Sequence, residues 1–294
     1  MDAVPLEAGV LYLAATPIGN LRDITLRALD ALRQADLVAA EDTRHTRELL
    51  WAHGLSARLV SYREQNHERA SWEILDALGR GLRVVLVSDA GTPGISDPGE
   101  ALVSLAIERG FRVAVLPGPS AALAALCASG LSTKRFLFLG FPPRKASELA
   151  SYFRSLAGEP GTLVLYESGR RLPETLAVAA EILGPRRAVV ARELTKLHEE
   201  YVRAPLPELA RRFSESPPGE VVLLVQGAPE DAGAVPPPQP ELETLVEALR
   251  AGRRLGAAEC AHLLARLLPV ERKDIYRLAA RFPAAHDPAE DSHE

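Results

Sequence analysis

The sequence predicts an α/β protein, with two α/β domains followed by a small helical module. Three observations carry that expectation. Short apolar runs alternate with helical patterns through the first 117 residues, the strand texture changes after residue 118, and a proline-rich stretch after Gln226 precedes a purely helical pattern. The expected division is 1–117, 118–229, a linker over 230–240, and a helix-turn-helix-like module with an acidic tail over 241–294.

In the first part the runs VLYLAAT, LVAAE, RLVSY, RVVLVSDA and FRVAVLPG are separated by TLRALDALRQA, TRELLWAHG, ERASWEILDALG and GEALVSLAIERG. Strand, helix, strand at this spacing predicts a parallel sheet with helices on both faces, and continuous apolar strands predict burial on both sides. The second part reads FLFLGF, TLVLYES, AVVARELT, EEYVRAPL and GEVVLLVQG, with helices near 145–157, 171–183 and 206–213, which predicts a mixed sheet. The prolines of GAPEDAGAVPPPQP predict an extended linker. Three helical patterns then run from 241 to 282, and the last twelve residues carry four acids and no base, the composition of a disordered tail.

Composition narrows the function. Of 294 residues, 47% are hydrophobic and 25% charged, which excludes a disordered, collagen-like or disulfide-scaffold chain. A net charge of -5 provides no global attraction for a polyanion, so a nucleic-acid site must be local. No run of 18 apolar residues and no basic leader occurs, so no membrane partner and a cytoplasmic location are expected. Cys127 and Cys260 both lie in alanine- and leucine-rich helical stretches and are expected as core thiols, with no metal site.

Three loops at strand ends stand out. Ala15-Thr16-Pro17-Ile18-Gly19-Asn20 leaves the first strand, and a turn there is either a plain connection or a ligand loop; neither GxGxxG nor Walker A is present. Ser88 to Gly99, SDAGTPGISDPG, packs three glycines, two prolines and two aspartates into twelve residues, a rigid loop suited to main-chain contacts with a ligand. Helix capping by Asp97, with Pro98 at the first helical position, accounts only for its last few residues. Leu116-Pro117-Gly118-Pro119-Ser120 enters a small-residue helix and is either a third ligand loop or an interdomain hinge.

With TPIGNLRDITLRAL, AAEDTRHTRELL, SDAGTPGISDPG, LPGPSAA, YESGRRL and ARELTK in unbroken order from about Val10 to Gln226, the chain resembles the tetrapyrrole-methylase superfamily. Within it, the resemblance is to the bacterial branch that methylates a cytidine 2'-hydroxyl in the decoding region of small-subunit ribosomal RNA. It implies S-adenosylmethionine as cofactor, a homodimer, and ribosomal RNA or the assembled small subunit as substrate. The implied cofactor contacts are Pro17, Ile18, Gly19, Asp89, Ala90, Gly91, Thr92, Ser120, Ala121, Tyr166, Glu167 and Leu194. The first loop reads TPIGN where porphyrin-modifying members have a glycine-rich GxGPG, which fits the RNA branch. Two other readings use the same residues: a small-molecule, tetrapyrrole-like methyltransferase, and a non-catalytic RNA-binding assembly factor.

Arginine offers a fork for phosphate and a plane for base stacking, so Arg44, His45 and Arg47 after the strand LVAA are candidate RNA contacts; the alternative is a cap cluster with Asp42 capping. Arg170 at a strand end, and Arg272 and Lys273 on the last helix, are further candidates, against a solvated rim and a purely stabilising or dimer-packing bundle. Removal of the ribose proton is assigned to Lys196 or Glu193. Lys196 is one of four lysines against thirty arginines and follows a buried strand into the expected crevice, where a desolvated lysine would be a proton acceptor and arginine would not.

Overall fold

The computed structural model describes residues 5–229, 239–253, 255–268 and 270–282. The chain divides into two compact units, Met1–Gly227 and Ala228–Glu294. The expected linker, apart from its last two residues, and the acidic tail lie outside the described residues.

The first unit opens with β1 (Val10–Ala14), α1 (Leu26–Gln34), β2 (Leu37–Ala40), α2 (Thr43–Ala52), β3 (Leu59–Ser61), α3 (His67–Gly79), β4 (Val84–Val87), α4 (Gly99–Glu108) and β5 (Arg112–Leu116). The five strands form one parallel sheet in the order β3-β2-β4-β1-β5. Side chains alternate across it. Val10, Tyr12 and Ala14 join Ala28, Leu32, Leu49 and Leu50 on the face covered by α1 and α2. Leu11 and Leu13 join Ile74, Leu78, Leu102 and Ala106 on the face covered by α3 and α4. Burial on both sides holds for β1, β2 and β4. It does not hold for β3 and β5, which are the sheet's edges: β3 is half-buried, and Val115 of β5 is 53% exposed.

The second sheet follows from α5 (Ala121–Ser129), β6 (Phe136–Phe138), α6 (Ala146–Ser155), β7 (Thr162–Ser168), α7 (Leu172–Leu183), β8 (Arg187–Arg192), β9 (Glu200–Pro205), α8 (Leu206–Arg212) and β10 (Glu220–Val225). Its order is β6-β7-β10-β8-β9, parallel only between β6 and β7. One face packs Leu163, Leu165 and Val190 against Phe153, Leu176 and Leu209 of α6, α7 and α8. The other face packs Val164, Val189, Val222 and Leu224 against Ala122, Ala125 and Leu126 of α5, and takes Ile18 from the loop after β1 into the same cluster. Cys127 of α5 is exposed, contrary to expectation. The helix AALAALCAS has no polar face, so its periodicity does not tell which side is covered.

The second unit contains α9 (Gln239–Arg253), α10 (Ala257–Leu267) and α11 (Arg272–Ala279) around Leu242, Val246, Cys260, Ala261, Leu264, Ile275 and Leu278. Cys260 is buried there as expected.

Asp36, ahead of β2, is paired with Arg83, ahead of β4, through Oδ2 to the backbone N–H (2.9 Å) and Nε (2.9 Å) and through Oδ1 to Nη2 (2.7 Å). The Arg83 side-chain bonds hold the Asp36 carboxyl down at about 2, against an ordinary 3.8. A depressed carboxylate contributes stability that is present above its unfolded value and lost as pH falls toward its folded one. The stability deficit of Asp36→Asn relative to wild type, followed by urea denaturation, should therefore be constant at neutral pH and shrink between about 3.8 and about 2. A deficit that does not change with pH would show that the charge contributes nothing, as for many solvent-exposed pairs.

Candidate active site

A parallel sheet brings the carboxyl ends of its strands to one edge, where connecting loops meet. Residues Thr16–Asn20 after β1, Ser88–Pro98 after β4 and Pro117–Ser120 after β5 converge there and are bonded to one another. Thr16 N–H donates to Gly91 C=O (2.9 Å) and Gly91 N–H to Thr16 C=O (3.0 Å), a two-way backbone bridge. Thr16 Oγ1 donates to Ser88 C=O (3.0 Å), Ser88 Oγ to Gly91 C=O (3.1 Å), and Thr92 Oγ1 to Pro119 C=O (3.3 Å). Gly91 has φ +82°, a left-handed conformation glycine adopts without steric cost.

The end of the SDAGTPGISDPG loop differs from the expected cap. The helix begins at Gly99, with Pro98 in the capping position, and Asp97 folds its carboxylate over the loop, accepting from Gly94 N–H (2.9 Å) and Gly99 N–H (2.7 Å). Asp97 thus closes the loop as well as meeting the helix end. Pro98 has no N–H to offer the cap.

A cavity of about 220 Å³ lies between these loops and the second sheet. Ile18, Ala90, Gly91, Thr92, Ser120 and Ala121 form one wall; Tyr166, Glu193, Leu194 and Lys196 contribute to the other. Ile95, Ala191, Glu220, Val221 and Val222 also line it and were not anticipated. For β10 the reason is topological. It runs antiparallel between β7 and β8, so its beginning lies beside their ends, with Glu220 opposite Ser168 and Val221 opposite Arg192. Strand spacing in the sequence carries no such pairing.

The loop after β8 is held in an unusual backbone. Glu193 (φ +51°) and Thr195 (φ +65°) are left-handed, as is Ser96 in the loop after β4 (φ +63°), and these are the positive-φ residues other than glycine among the described residues. Such conformations cost of order 1–3 kcal/mol each and persist where the surroundings enforce them. Lys196 N–H donates to Glu193 C=O (3.0 Å), and Glu199 Oε2 accepts from Thr195 N–H (2.7 Å). The TPIGN turn presses against this loop: a Cβ on Gly19 would lie 2.6 Å from Leu194 C=O and 2.8 Å from Thr195 Oγ1. Gly19 is therefore required for close approach and does not itself face the cavity.

Lys196 Nζ is 3.1 Å from Glu193 Oε1, with the two side chains 46% and 24% exposed. The desolvated lysine expected from sequence is not what the fold builds. Charged lining residues are Glu193, Glu220 and Lys196, an acidic excess that favours a ligand bearing positive charge. Burial pushes the Tyr166 phenol up, keeping it protonated, and its ring packs 5.0 Å from Phe138 and 5.6 Å from Phe141.

Besides Gly19, three anticipated contacts sit elsewhere. Pro17 is outside the lining. Asp89 accepts from Asp42 N–H (2.7 Å), tying the loop after β4 to the start of α2. Glu167 follows Tyr166 in β7, and the period-two alternation of a strand sends it to the opposite face. There it is fully buried, accepting from Thr175 Oγ1 (2.6 Å) and Ser168 N–H (2.8 Å), with Arg171 at 3.5 Å.

Arg44, His45 and Arg47 are exposed on α2, beside the rim of the same sheet edge. Asp42 caps this helix, accepting from Arg44 N–H (2.8 Å), and the Arg44 guanidinium holds the Asp42 carboxyl well below the usual range. Burial first, then Asp89, pushes Glu41 up. Arg170 is exposed just after β7, while Arg272 and Lys273 are exposed on α11 of the second unit. Among the described residues no helix is long and apolar enough to cross a membrane.

Residues 10–210 match the family model described as Tetrapyrrole (Corrin/Porphyrin) Methylases. The chain is 45% identical over 280 residues to a protein of Mesorhizobium japonicum named ribosomal RNA small subunit methyltransferase I, covering 94% of this chain and 93% of that one. Proteins of the same name from Synechocystis and Escherichia coli O157:H7 are each 42% identical, covering 94% and 92% of this chain and 99% and 94% of theirs. Among solved structures, a diphthine synthase (TM-score 0.58, 19% identity) and a cobalt precorrin-4 methyltransferase (TM-score 0.54, 19% identity) each cover 74% of this chain, and 90% and 95% of their own. At that identity the likeness is one of fold.

Proposed function

The chain belongs to the tetrapyrrole (corrin/porphyrin) methylase family, and we propose that it uses S-adenosylmethionine to methylate a cytidine ribose 2'-hydroxyl in the decoding region of small-subunit ribosomal RNA. The name borne by relatives at 42–45% identity over nearly the whole chain supports the RNA substrate, and the convergence of three cross-bonded loops on one cavity supports the cofactor.

The residues present fit that cofactor. The cavity combines apolar walls at Ile18, Ala121 and Leu194, a glycine at Gly91 that leaves the backbone approachable, and two carboxylates facing a space suited to positive charge. S-adenosylmethionine, when bound, supplies an electrophilic methyl group on a sulfonium. Ile18, Ala90, Gly91, Thr92, Ser120, Ala121, Tyr166 and Leu194 would hold it, with Gly19 setting the spacing of the loops and Pro17, Asp89 and Glu167 supporting them. At the same rim, Glu193 and Lys196 receive the ribose. The ribose oxygen would take the methyl group as its carbon–sulfur bond breaks, leaving the neutral thioether, and the hydroxyl proton would pass to the Glu193 carboxylate, which Lys196 orients through their ion pair. Alignment of the hydroxyl with the methyl group supplies much of the remaining rate. RNA is engaged by Arg44, His45, Arg47 and Arg170 on the first unit and by Arg272 and Lys273 on the second. A second copy of the chain covers the apolar side chains left exposed along β5, α5 and β6, namely Val115, Leu123, Phe136 and Leu137.

Titration calorimetry with S-adenosylmethionine should show about one site per chain, and Gly91→Val should abolish the heat because its φ of +82° strains a β-branched residue. A folded Gly91→Val protein with wild-type affinity would remove this loop from the site. In a radiolabelled methyl-transfer assay on purified small subunits, with nuclease mapping of the product, Glu193→Gln should lower turnover by roughly 10²-fold or more with RNA affinity retained. Lys196→Arg, which preserves the ion pair, should be nearly silent, and Lys196→Ala should fall between. A slow Lys196→Arg beside a fast Glu193→Gln would transfer the proton to the lysine, and no transfer to subunits by the wild type would refute the proposed activity. Light scattering should count two chains per particle for the wild type and one for Leu123→Glu; a single chain for the wild type would exclude the dimer.

A further inference from the structure

On the last helix of the second unit one aromatic side chain is turned outward, and the unit's own core does not use it. In α11, Ile275, Leu278 and Ala279 face the core of the unit, while Tyr276 is 49% exposed. At 100° per residue the outward face of this helix and its last turn holds Arg272, Lys273, Tyr276, Arg277, Ala280 and Arg281, all exposed. Tyr276 is one turn beyond Arg272 and Lys273 and one turn before Ala280, so cations border its ring on one side and a methyl group leaves it open on the other. Lys273 pairs with Glu271 (2.6 Å) and Arg277 approaches Asp274 (3.5 Å), whereas Arg272 and Arg281 make no ion pair among the described residues.

We infer that α11 carries a stacking site for an unpaired RNA base: the Tyr276 ring takes the base, and Arg272, Arg277 and Arg281 take the flanking phosphates. This rests on the RNA-methylating reading above. The chemistry favours a nucleotide over a protein surface. An apolar docking face would surround the tyrosine with further apolar side chains, whereas here its neighbours on the face are cations and one alanine. A site for duplex backbone alone would use the cations and have no need of an exposed ring, while single-stranded nucleic acid is held by a charged groove together with aromatic faces on which bases stack.

The test is fluorescence anisotropy of the full chain with a short labelled single-stranded RNA and, in parallel, a labelled RNA duplex. Tyr276→Ala should weaken single-strand binding by about 5- to 150-fold, the range of one lost stack, and leave duplex binding nearly unchanged. Tyr276→Phe, which keeps the ring, should bind within about twofold of wild type. Arg272→Gln should weaken both RNAs and reduce the salt dependence by about one phosphate contact. Wild-type single-strand affinity in a Tyr276→Ala protein of native circular dichroism overturns the proposal. So does a Tyr276→Phe as weak as Tyr276→Ala, or a wild type that binds neither RNA. If Tyr276→Ala is silent on RNA but weakens association with assembled subunits, the tyrosine meets a protein and the inference also falls. Methyl transfer by the wild type together with a silent Tyr276→Ala would refute the stacking site alone; an RNA-binding defect in Tyr276→Ala with no methyl transfer by the wild type would refute the methylation reading alone.

Discussion

The cavity depends on the two backbone hydrogen bonds exchanged between Thr16 and Gly91. They join the loop after β1 to the loop after β4, although those loops lie some seventy residues apart in the chain. The Thr92 hydroxyl carries the connection to Pro119, and so to the start of α5. Three loops that would each be mobile alone are thereby made one wall. Backbone groups satisfied within the wall are ordered before a ligand arrives, which lowers the conformational cost of binding.

The opposite wall is built differently. The loop after β8 has no glycine, yet it turns sharply through left-handed Glu193 and Thr195 and is held by Glu199 and by the turn from Lys196 back to Glu193. Two residues are strained so that a carboxylate and an ammonium stand together at the rim. Gly19 connects the two walls, since no larger residue lets the first loop lie against Leu194 and Thr195. The same contact seats Ile18 in the apolar cluster of the second sheet.

Charge follows the same separation of roles. The chain carries a net charge of -5, and the cavity lining is itself acidic in excess. Exposed arginines occur on α2, after β7 and on α11. A polyanion is attracted by such scattered cations through many weak contacts, each screened by salt. Such cations supply attraction without shape, and an exposed aromatic ring such as that of Tyr276 differs from one more arginine in offering a flat apolar face.

Much of the fold was legible in the sequence. The period of the apolar residues marked strand against helix, and the glycine- and proline-rich runs marked the loops at the ends of β1, β4 and β5, because turns demand particular residues locally. What was not legible arises from contacts between distant segments. Burial of β3 and β5 on one side only, and the exposure of Cys127, depend on which strands are edges and which helix face is covered. Glu167 could be placed at a strand end but not on a face, because a shift of one residue in register reverses every side chain of a strand. Lys196 lines the cavity, and its partner and exposure follow from the left-handed turn at Glu193. The sequence by itself determined the elements and the chemistry available at their ends; the tertiary structure alone decided which of those groups face the cavity, because β10 enters its floor through antiparallel pairing that no local pattern encodes.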